Sequence, residues 1–556
     1  MAALVLALLA AAACGGVGTR GAGRKPAPAP TGYIPAVNRP NILVIEADDL
    51  RSDELKFMPN VRRLIAARGL SFENSFAPYP LCCPSRASFL SGKYAHNHHV
   101  LSHVSPFGFK SFDDHQTLAT ELQNVGYQTA LVGKYLNGYA RQHQFGSNKP
   151  SLRYVPPGWT QWMAGSDHVF PASSPYKGGT YSYFSMTQNI NGKVVPHHGR
   201  YSTNLLGGQT RGVLGKFGAT KKPWFIWWTP VAPHFGSPRE PDDPARIPRS
   251  DGKPQKFKTP ARPSWVKGRF DSAITHALGT PEFGPAESDM SDKPRYLRNT
   301  PEMQPAEQDA LTAVSRQRAE SIYVLDRQVG RTLQELRRSG QYDSTIIVFT
   351  SDNGYFLGEH RKRTGKILPQ EPSLRVPFLI AGPGIEHGKR YDPITTIDLA
   401  PTFASYAGMK AMPDADGISL VPTIKNGDRG WTRPVVTEGM IGGFPRRVDR
   451  PGFHTALNTR GIRTARYKYV KYATGEVELY DLKTDPLELE SRQDDPAYDG
   501  IQRRLDALWT RYVNCKQASC AKPMPRRFRS SVQQEKSITD FEAERTRQYY
   551  SDYPLR

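Results

Sequence analysis

Five short runs of this chain are almost uninterruptedly apolar: residues 41–45, 129–132, 223–228, 345–350 and 374–380. Their length and continuity predict strands covered on both faces, as in a largely parallel sheet. Between them apolar residues recur at helical steps. Residues 58–65 form one such stretch, with Pro59 near its start and Gly69 beyond its end; Leu118, Leu122 and Val125 mark a second, stopped by Gly126. Ile322, Leu325, Val329, Leu333 and Leu336 mark a third, ending at Gly340. Alternating strands and helices predict an α/β domain. Past about Gly430 the period changes: residues 461–472 alternate, Gly475 offers a turn, and 477–482 precede a helical stretch near 505–512. That pattern predicts a small antiparallel sheet with a helix on it. Residues 236–304, rich in Pro, Lys and Asp and weakly periodic, read as a long excursion over the face where ligands gather. No internal repeat is visible.

At 556 residues the chain suits a large α/β body with a smaller appendage. The expected plan is a leader at 1–14, a Gly/Pro/Ala tether at 15–39, a main domain at 40–430, a subdomain at 431–523 and a basic tail at 524–556. A mean hydropathy of −0.56 excludes a polytopic membrane protein. The net charge of +22 suits a polyanionic partner, such as nucleic acid, anionic lipid headgroups or a sulfated glycan. With no helix-turn-helix pattern, zinc-finger spacing or RNP-like strand, nucleic acid falls behind the glycan.

The five cysteines divide by position. Cys14 follows the apolar run 2–13, which is too short to span a membrane and reads as a secretory signal; its junction also resembles an imperfect lipoprotein cleavage site. The expected location is therefore outside the cytoplasm: extracellular, at the cell surface or periplasmic, free or tethered through a lipid on Cys14. Cys515 and Cys520 are close in an exported chain and are expected to form a disulfide. Cys82 and Cys83 are adjacent, and adjacent cysteines rarely pair.

Two of the apolar runs end in carboxylates. Residues 41–45 lead into Glu46-Ala47-Asp48-Asp49, and 345–350 into Ser351-Asp352-Asn353-Gly354. Ligands of open α/β sheets gather at the carboxyl ends of strands, although Asp in such a place also serves as a helix N-cap. Asp48, Asp49, Asp352 and Asn353 offer four oxygen donors with no thiolate or imidazole set, which suits Ca²⁺ or Mg²⁺ better than zinc. Leu81-Cys82-Cys83-Pro84-Ser85-Arg86 is followed by Leu90-Ser91-Gly92. Buried cysteines are ordinarily small hydrophobes, and Pro84-Ser85 alone would suggest a turn. The complete pattern C-x-P-S-R then L-S-G resembles the signature of the formylglycine-dependent sulfatases. The likeness continues at Gly133-Lys134-Tyr135-Leu136-Asn137, Ala232-Pro233-His234 and Lys366, from about Pro40 to Asp485. Cys83, the stretch 92–100 and Pro156-Pro157-Gly158-Trp159 are similar to the N-acetylglucosamine-6-sulfatases and heparan 6-O-endosulfatases.

The resemblance implies an alkaline-phosphatase-like fold, a large mixed sheet flanked by helices, with a smaller C-terminal antiparallel sheet plus helix. It implies that a maturation enzyme oxidises Cys82 to formylglycine, whose hydrate has two hydroxyls. One attacks sulfur and the other expels sulfate, whereas a serine would be left as a stable ester. Arg86, Lys134 and Lys366 are implied around the sulfuryl oxygens, His234 as donor to the leaving alcohol, and Asp352 as acceptor of the attacking hydroxyl's proton. Ca²⁺, or Mg²⁺, is implied on Asp48, Asp49, Asp352, Asn353 and the modified Cys82. Most members carry a histidine where this chain has Leu136, so the base for sulfate elimination is unassigned. The implied reaction is hydrolysis of sulfate esters, 6-O-sulfate on glucosamine-type sugars first. An arylsulfatase, a phosphonate or phosphate ester hydrolase, and a non-catalytic sulfated-glycan binder with an unmodified thiol are the alternatives.

Overall fold

The computed structural model describes residues 39–282, 287–441 and 457–550; the expected leader, Cys14 and nearly all of the tether lie outside them. The apolar runs become the centre of a ten-stranded sheet. Five neighbouring strands, Thr345–Ser351, Asn41–Ala47, Trp224–Thr229, Gln128–Gly133 and Gln161–Gly165, run parallel. Antiparallel strands flank them, Phe378–Ala381 on one side and Ser185–Ile190 on the other. The sheet is mixed, as expected.

Successive side chains of a strand point to opposite faces, so each central strand feeds two cores. Leu43 and Ile45 pack with Ile322, Leu325, Val329 and Leu333 of the helix Pro305–Arg338 on one face. Ile42 and Val44 pack with Phe89, Leu118, Leu122 and Phe403 on the other. Helices thus cover both faces of the central strands.

Beyond the main sheet, Val435–Gly439, Thr459–Arg463, Tyr467–Tyr472 and Val477–Asp481 form a four-stranded antiparallel sheet. The helix Asp499–Tyr512 buries Leu505, Leu508 and Trp509 against it, and Cys515 is bonded to Cys520. The two parts meet at the stretch 92–100. His96 Nδ1 lies 2.6 Å from Glu438 Oε1, and its Nε2 lies 2.7 Å from the Cys515 carbonyl oxygen.

Three local expectations shift. The strand expected at 374–380 starts only at Phe378, because Glu371–Leu374 closes a helical turn around Pro372 and Pro377 brings no N–H to a ladder. The helix recognised from 322–336 begins at Pro305, where Glu307 Oε2 accepts the Gln304 N–H at 3.0 Å. The region expected as a basic tail contains the helix Val532–Tyr550, which docks on the main body: Arg375 donates to both Glu542 oxygens at 2.7 Å, and Asn74 Nδ2 donates to Thr539 Oγ1 at 2.8 Å. Among the described residues no helix is long and apolar enough to cross a membrane.

Candidate active site

Parallel pairing aligns Ala47 with Ser351, so the two acidic strand ends emerge side by side. Asp49 adopts a left-handed φ of 68°, which a short polar side chain tolerates. Its backbone N–H donates to Asp352 Oδ1 at 3.1 Å, and Asn353 Nδ2 donates to Asp49 Oδ1 at 2.8 Å. All four residues are buried.

Cys82 opens the helix Cys82–Ser91, whose N-terminus is aimed at this acidic pair. The thiol lies 3.4 Å from Asp48 Oδ1 and 3.9 Å from Asp49 Oδ1. Four positions on, Arg86 shares its face of the helix. Arg86 Nε donates to Asp352 Oδ2 at 2.9 Å, and NH1 lies 3.5 Å from Glu46 Oε1. The guanidinium is fully buried behind the carboxylates, not open to the cleft.

Two lysines complete the cluster. Lys134 follows the strand Gln128–Gly133, and its Nζ donates to Asp48 Oδ2 at 2.6 Å. Gly133, at φ 126°, lets this strand end lie against Thr229; a Cβ there would meet the Thr229 carbonyl oxygen at 2.1 Å. Lys366 comes from a distant loop and contacts both Asp49 Oδ1 and the Cys82 sulfur, the latter at 2.6 Å. His234 Nε2 lies 3.7 Å from Asp49 Oδ2, while its ring stacks on Tyr181 at 4.5 Å between centroids. Its Nδ1 donates to the Phe235 carbonyl at 2.7 Å; a carbonyl only accepts, so the neutral ring keeps Nε2 bare.

Burial and these charges set the protonation states. Burial alone would raise the Asp48 carboxyl, but Lys134, His234 and Arg86 hold it well below the usual carboxylate range. Asp352 is raised, by burial and then by Asp48. Burial lifts Glu46 to about 7 despite Arg86. It also pushes the Cys82 thiol up and His234 down to about 4. Both lysines are raised, the carboxylates outweighing burial. An unmodified Cys82 is thus a neutral thiol and a poor nucleophile.

Every expected site residue therefore belongs to one cluster: Asp48, Asp49, Cys82, Arg86, Lys134, His234, Asp352, Asn353 and Lys366. Leu136 is turned away into the apolar core. The cluster lies at the floor of a cleft of about 1160 Å³, whose wall includes residues from Gly236 to Thr259. Among the described residues of the 236–304 excursion, those that line the cleft lie in this first part; Ile274 and Leu278 return to the core. In and beneath the cleft lie further residues that the sequence did not single out. Glu46 holds Arg86 and accepts from Trp227 Nε1 at 3.1 Å. Tyr181 packs on His234 and beneath Lys134. His103 lines the cleft with a buried Nδ1 that has no hydrogen-bond partner among the described residues, and burial lowers it to about 4.

Residues 40–409 match the Sulfatase family model, and 358–514 match the C-terminal model of N-sulphoglucosamine sulphohydrolase. The chain is 29% identical to an arylsulfatase of Volvox carteri over 88% of its own length and 76% of the relative's. It is 28% identical to the Homo sapiens N-acetylglucosamine-6-sulfatase, over 73% of this chain and 68% of that one. A solved structure of BT4656 in complex with its substrate D-glucosamine-2-N,6-O-disulfate superposes with a TM-score of 0.62 at 23% identity, covering 85% of this chain and 97% of the other. With two thirds of its length in the family match, the alkaline-phosphatase-like sheet of its structural neighbours and an acidic floor at the strand ends, this chain belongs to the sulfatase family of sulfuric ester hydrolases.

Proposed function

We propose that the protein removes 6-O-sulfate from glucosamine-type sugars of sulfated glycans, using formylglycine made from Cys82 and a hard divalent cation. The observation that carries this reading is the meeting of Cys82 with both acidic strand ends and both lysines in one buried cluster. The donor set fits a hard ion. Asp49 Oδ2 and Asn353 Oδ1 are buried oxygens without a hydrogen-bond partner among the described residues, and Asp48 and Asp352 stand beside them. Held by Asp48, Asp49, Asp352 and Asn353, Ca²⁺ or Mg²⁺ would polarise the sulfuryl group and favour ionisation of the attacking hydroxyl.

The residues of the chain divide the remaining work. Lys134 and Lys366, now paired with Asp48 and Asp49, are long enough to turn to the sulfuryl oxygens once an ion neutralises those carboxylates. Arg86 acts through Asp352 and Glu46, fixing the floor. Asp352, one of whose oxygens is held by Arg86 Nε at 2.9 Å, is the carboxylate proposed to take the attacking hydroxyl's proton. Bare His234 Nε2 must gain a proton before it can hand one to the leaving alcohol, and the negative charge of a bound sulfate ester favours that gain. Seven cations line the cleft, Arg141, Arg239, Arg246, Lys256, Lys258, Lys362 and Lys366, against two acids, Asp167 and Asp243. That balance supports a polyanionic substrate. The glucosamine assignment rests on the relatives named for that sugar.

The test is sulfate release from defined glycans by protein co-expressed with a formylglycine-generating enzyme, with aryl sulfate and aryl phosphonate assayed in parallel. The Cys82 peptide should lose about 18 Da, the mass of thiol-to-aldehyde conversion. An unmodified peptide from the native host, with glycan bound but no sulfate released, overturns the reading in favour of a binder.

A further inference from the structure

We propose that Asp392, Asp428 and Glu535 form a second hard-cation site, for Ca²⁺, that pins the helix Val532–Tyr550 to the sheet domain. The site is remote in sequence from every residue of the catalytic cluster. Glu535 lies in the first turn of that helix with no exposed surface, and among the described residues no N–H or hydroxyl group donates to either of its carboxylate oxygens, whose neighbour is the Asp392 carboxylate. A buried carboxylate with both oxygens bare is costly unless something outside the protein meets it.

What it faces is more negative charge. One oxygen from each of Asp392, Asp428 and Glu535 lies within 4.8 Å of the other two. Oxygens at that spacing can all bind one central Ca²⁺ at its usual distances of about 2.3–2.6 Å. The two aspartates are fixed by their own loops. Asp392 accepts the N–H groups of Arg429 and Gly430 at 2.9 Å, and Asp428 Oδ1 accepts those of Tyr391 and Asp392 at 3.0 and 3.1 Å.

Among the described residues no cation pairs with any of the three. Arg433, whose charge reaches Asp392, donates to Asp398 at 2.5 Å. Arg390, whose charge reaches Asp428, donates to the carbonyl oxygens of Thr423 and Ile424. Lys536 pairs with Asp540. Among the described residues no ion pair involves Asp392, Asp428 or Glu535, and burial beside the aspartates raises the Glu535 carboxyl to about 10. The group therefore holds either a trapped proton or an ion. Three carboxylates from three separate segments, with no nitrogen or sulfur donor, match the tolerant oxygen coordination of Ca²⁺ and exclude a zinc preference.

The experiment uses the full chain, stripped of divalent ions with EGTA and dialysed against CaCl₂, with bound calcium counted by elemental analysis. Glu535→Gln should bind one Ca²⁺ fewer per chain than the parent, should lose part of the calcium-induced rise in Tm, and should release the 532–550 helix to protease in calcium as the parent does only in EGTA. Asp49→Asn removes a different equivalent; should that variant lose none, only the cation of the proposed active site is in error. If Glu535→Gln does not fold, Asp428→Asn, at a more exposed position, takes its place. Unchanged calcium content and an unchanged Tm response in the folded variant overturn the proposal and leave a shared proton.

Discussion

Lys366→Met should move two readouts in opposite directions. The Lys366 ammonium touches Asp49 Oδ1 and Cys82 while its side chain is only 11% exposed. A cation bound at the strand ends has to displace that contact from Asp49. Hydrogen bonds to charged groups contribute about 1.5–3 kcal/mol, so removing the competing ammonium should tighten calcium at the catalytic site by roughly 10- to 150-fold. The same ammonium is proposed to hold a sulfuryl oxygen. Loss of one preorganised donor costs about 10²–10³ in turnover, so kcat/KM for sulfate release should fall by that factor at saturating calcium. Calcium affinity is read by chelator competition, taking the binding step that Asp49→Asn abolishes; kcat/KM comes from sulfate release on the same preparations. A variant that loses calcium affinity and activity together refutes the reasoning, because it means that Lys366 supports the acidic cluster instead of competing for it.

Cys82→Ala should abolish turnover while lowering Tm little, whereas Cys83→Ala, which removes a buried thiol 3.6 Å from the Asn137 carbonyl oxygen, should cost about 1–2 kcal/mol and keep most activity; equal loss of activity in both would show that the pair has been misread. With Leu136 in the base's place, the cleft-lining His103, whose buried Nδ1 has no hydrogen-bond partner among the described residues, is the candidate base for sulfate elimination; His103→Ala should let the first half-reaction proceed and slow the second, so intact mass spectra should show covalently sulfated enzyme accumulating, and normal steady-state turnover would remove it from that role. His98 is held neutral mainly by burial, at about 3, with Val100 N–H donating to its Nδ1 at 3.1 Å. An unfolded histidine titrates near 6.5, so between these values the unfolded chain binds the extra proton and acid destabilises the fold, by about 2 kcal/mol from pH 7.5 to 5. His98→Gln should flatten Tm against pH in that range, and an unchanged slope would place the acid sensitivity elsewhere.

What could be read in advance depended on whether neighbours in the chain carry the signal. The strand Asn41–Ala47 was legible because both its faces are covered, and its acidic end because Asp48 and Asp49 follow it directly. Cys82 and Arg86 share a motif and then a helix face. By contrast, Tyr181 reaches His234 only through tertiary packing, and Glu46 looks like one more surface carboxylate until Arg86 folds over it. The first half of Pro305–Arg338 was hidden because its apolar positions, Ala310, Leu311 and Val314, are interleaved with buried charge: Arg318 donates to Glu54 at 2.8 Å and Glu320 accepts from Arg262. Val532–Tyr550 was hidden because it docks through the polar groups of Glu542 and Thr539. Periodicity detects oil-facing stripes and misses helices that are fastened by ions.

The depth of Cys82 imposes a timetable. In the finished fold the side chain is 3% exposed, wound into a helical turn and roofed by Lys366. An oxidising catalyst needs the thiol in an accessible, extended peptide, so the conversion proposed for this residue has to win a race against folding. Molecules that fold first are sealed with an inert sulfur, and no later exposure to the catalyst rescues them short of unfolding. On the proposed mechanism, the active fraction of a preparation is therefore decided during the brief interval when the chain has not yet closed over Cys82.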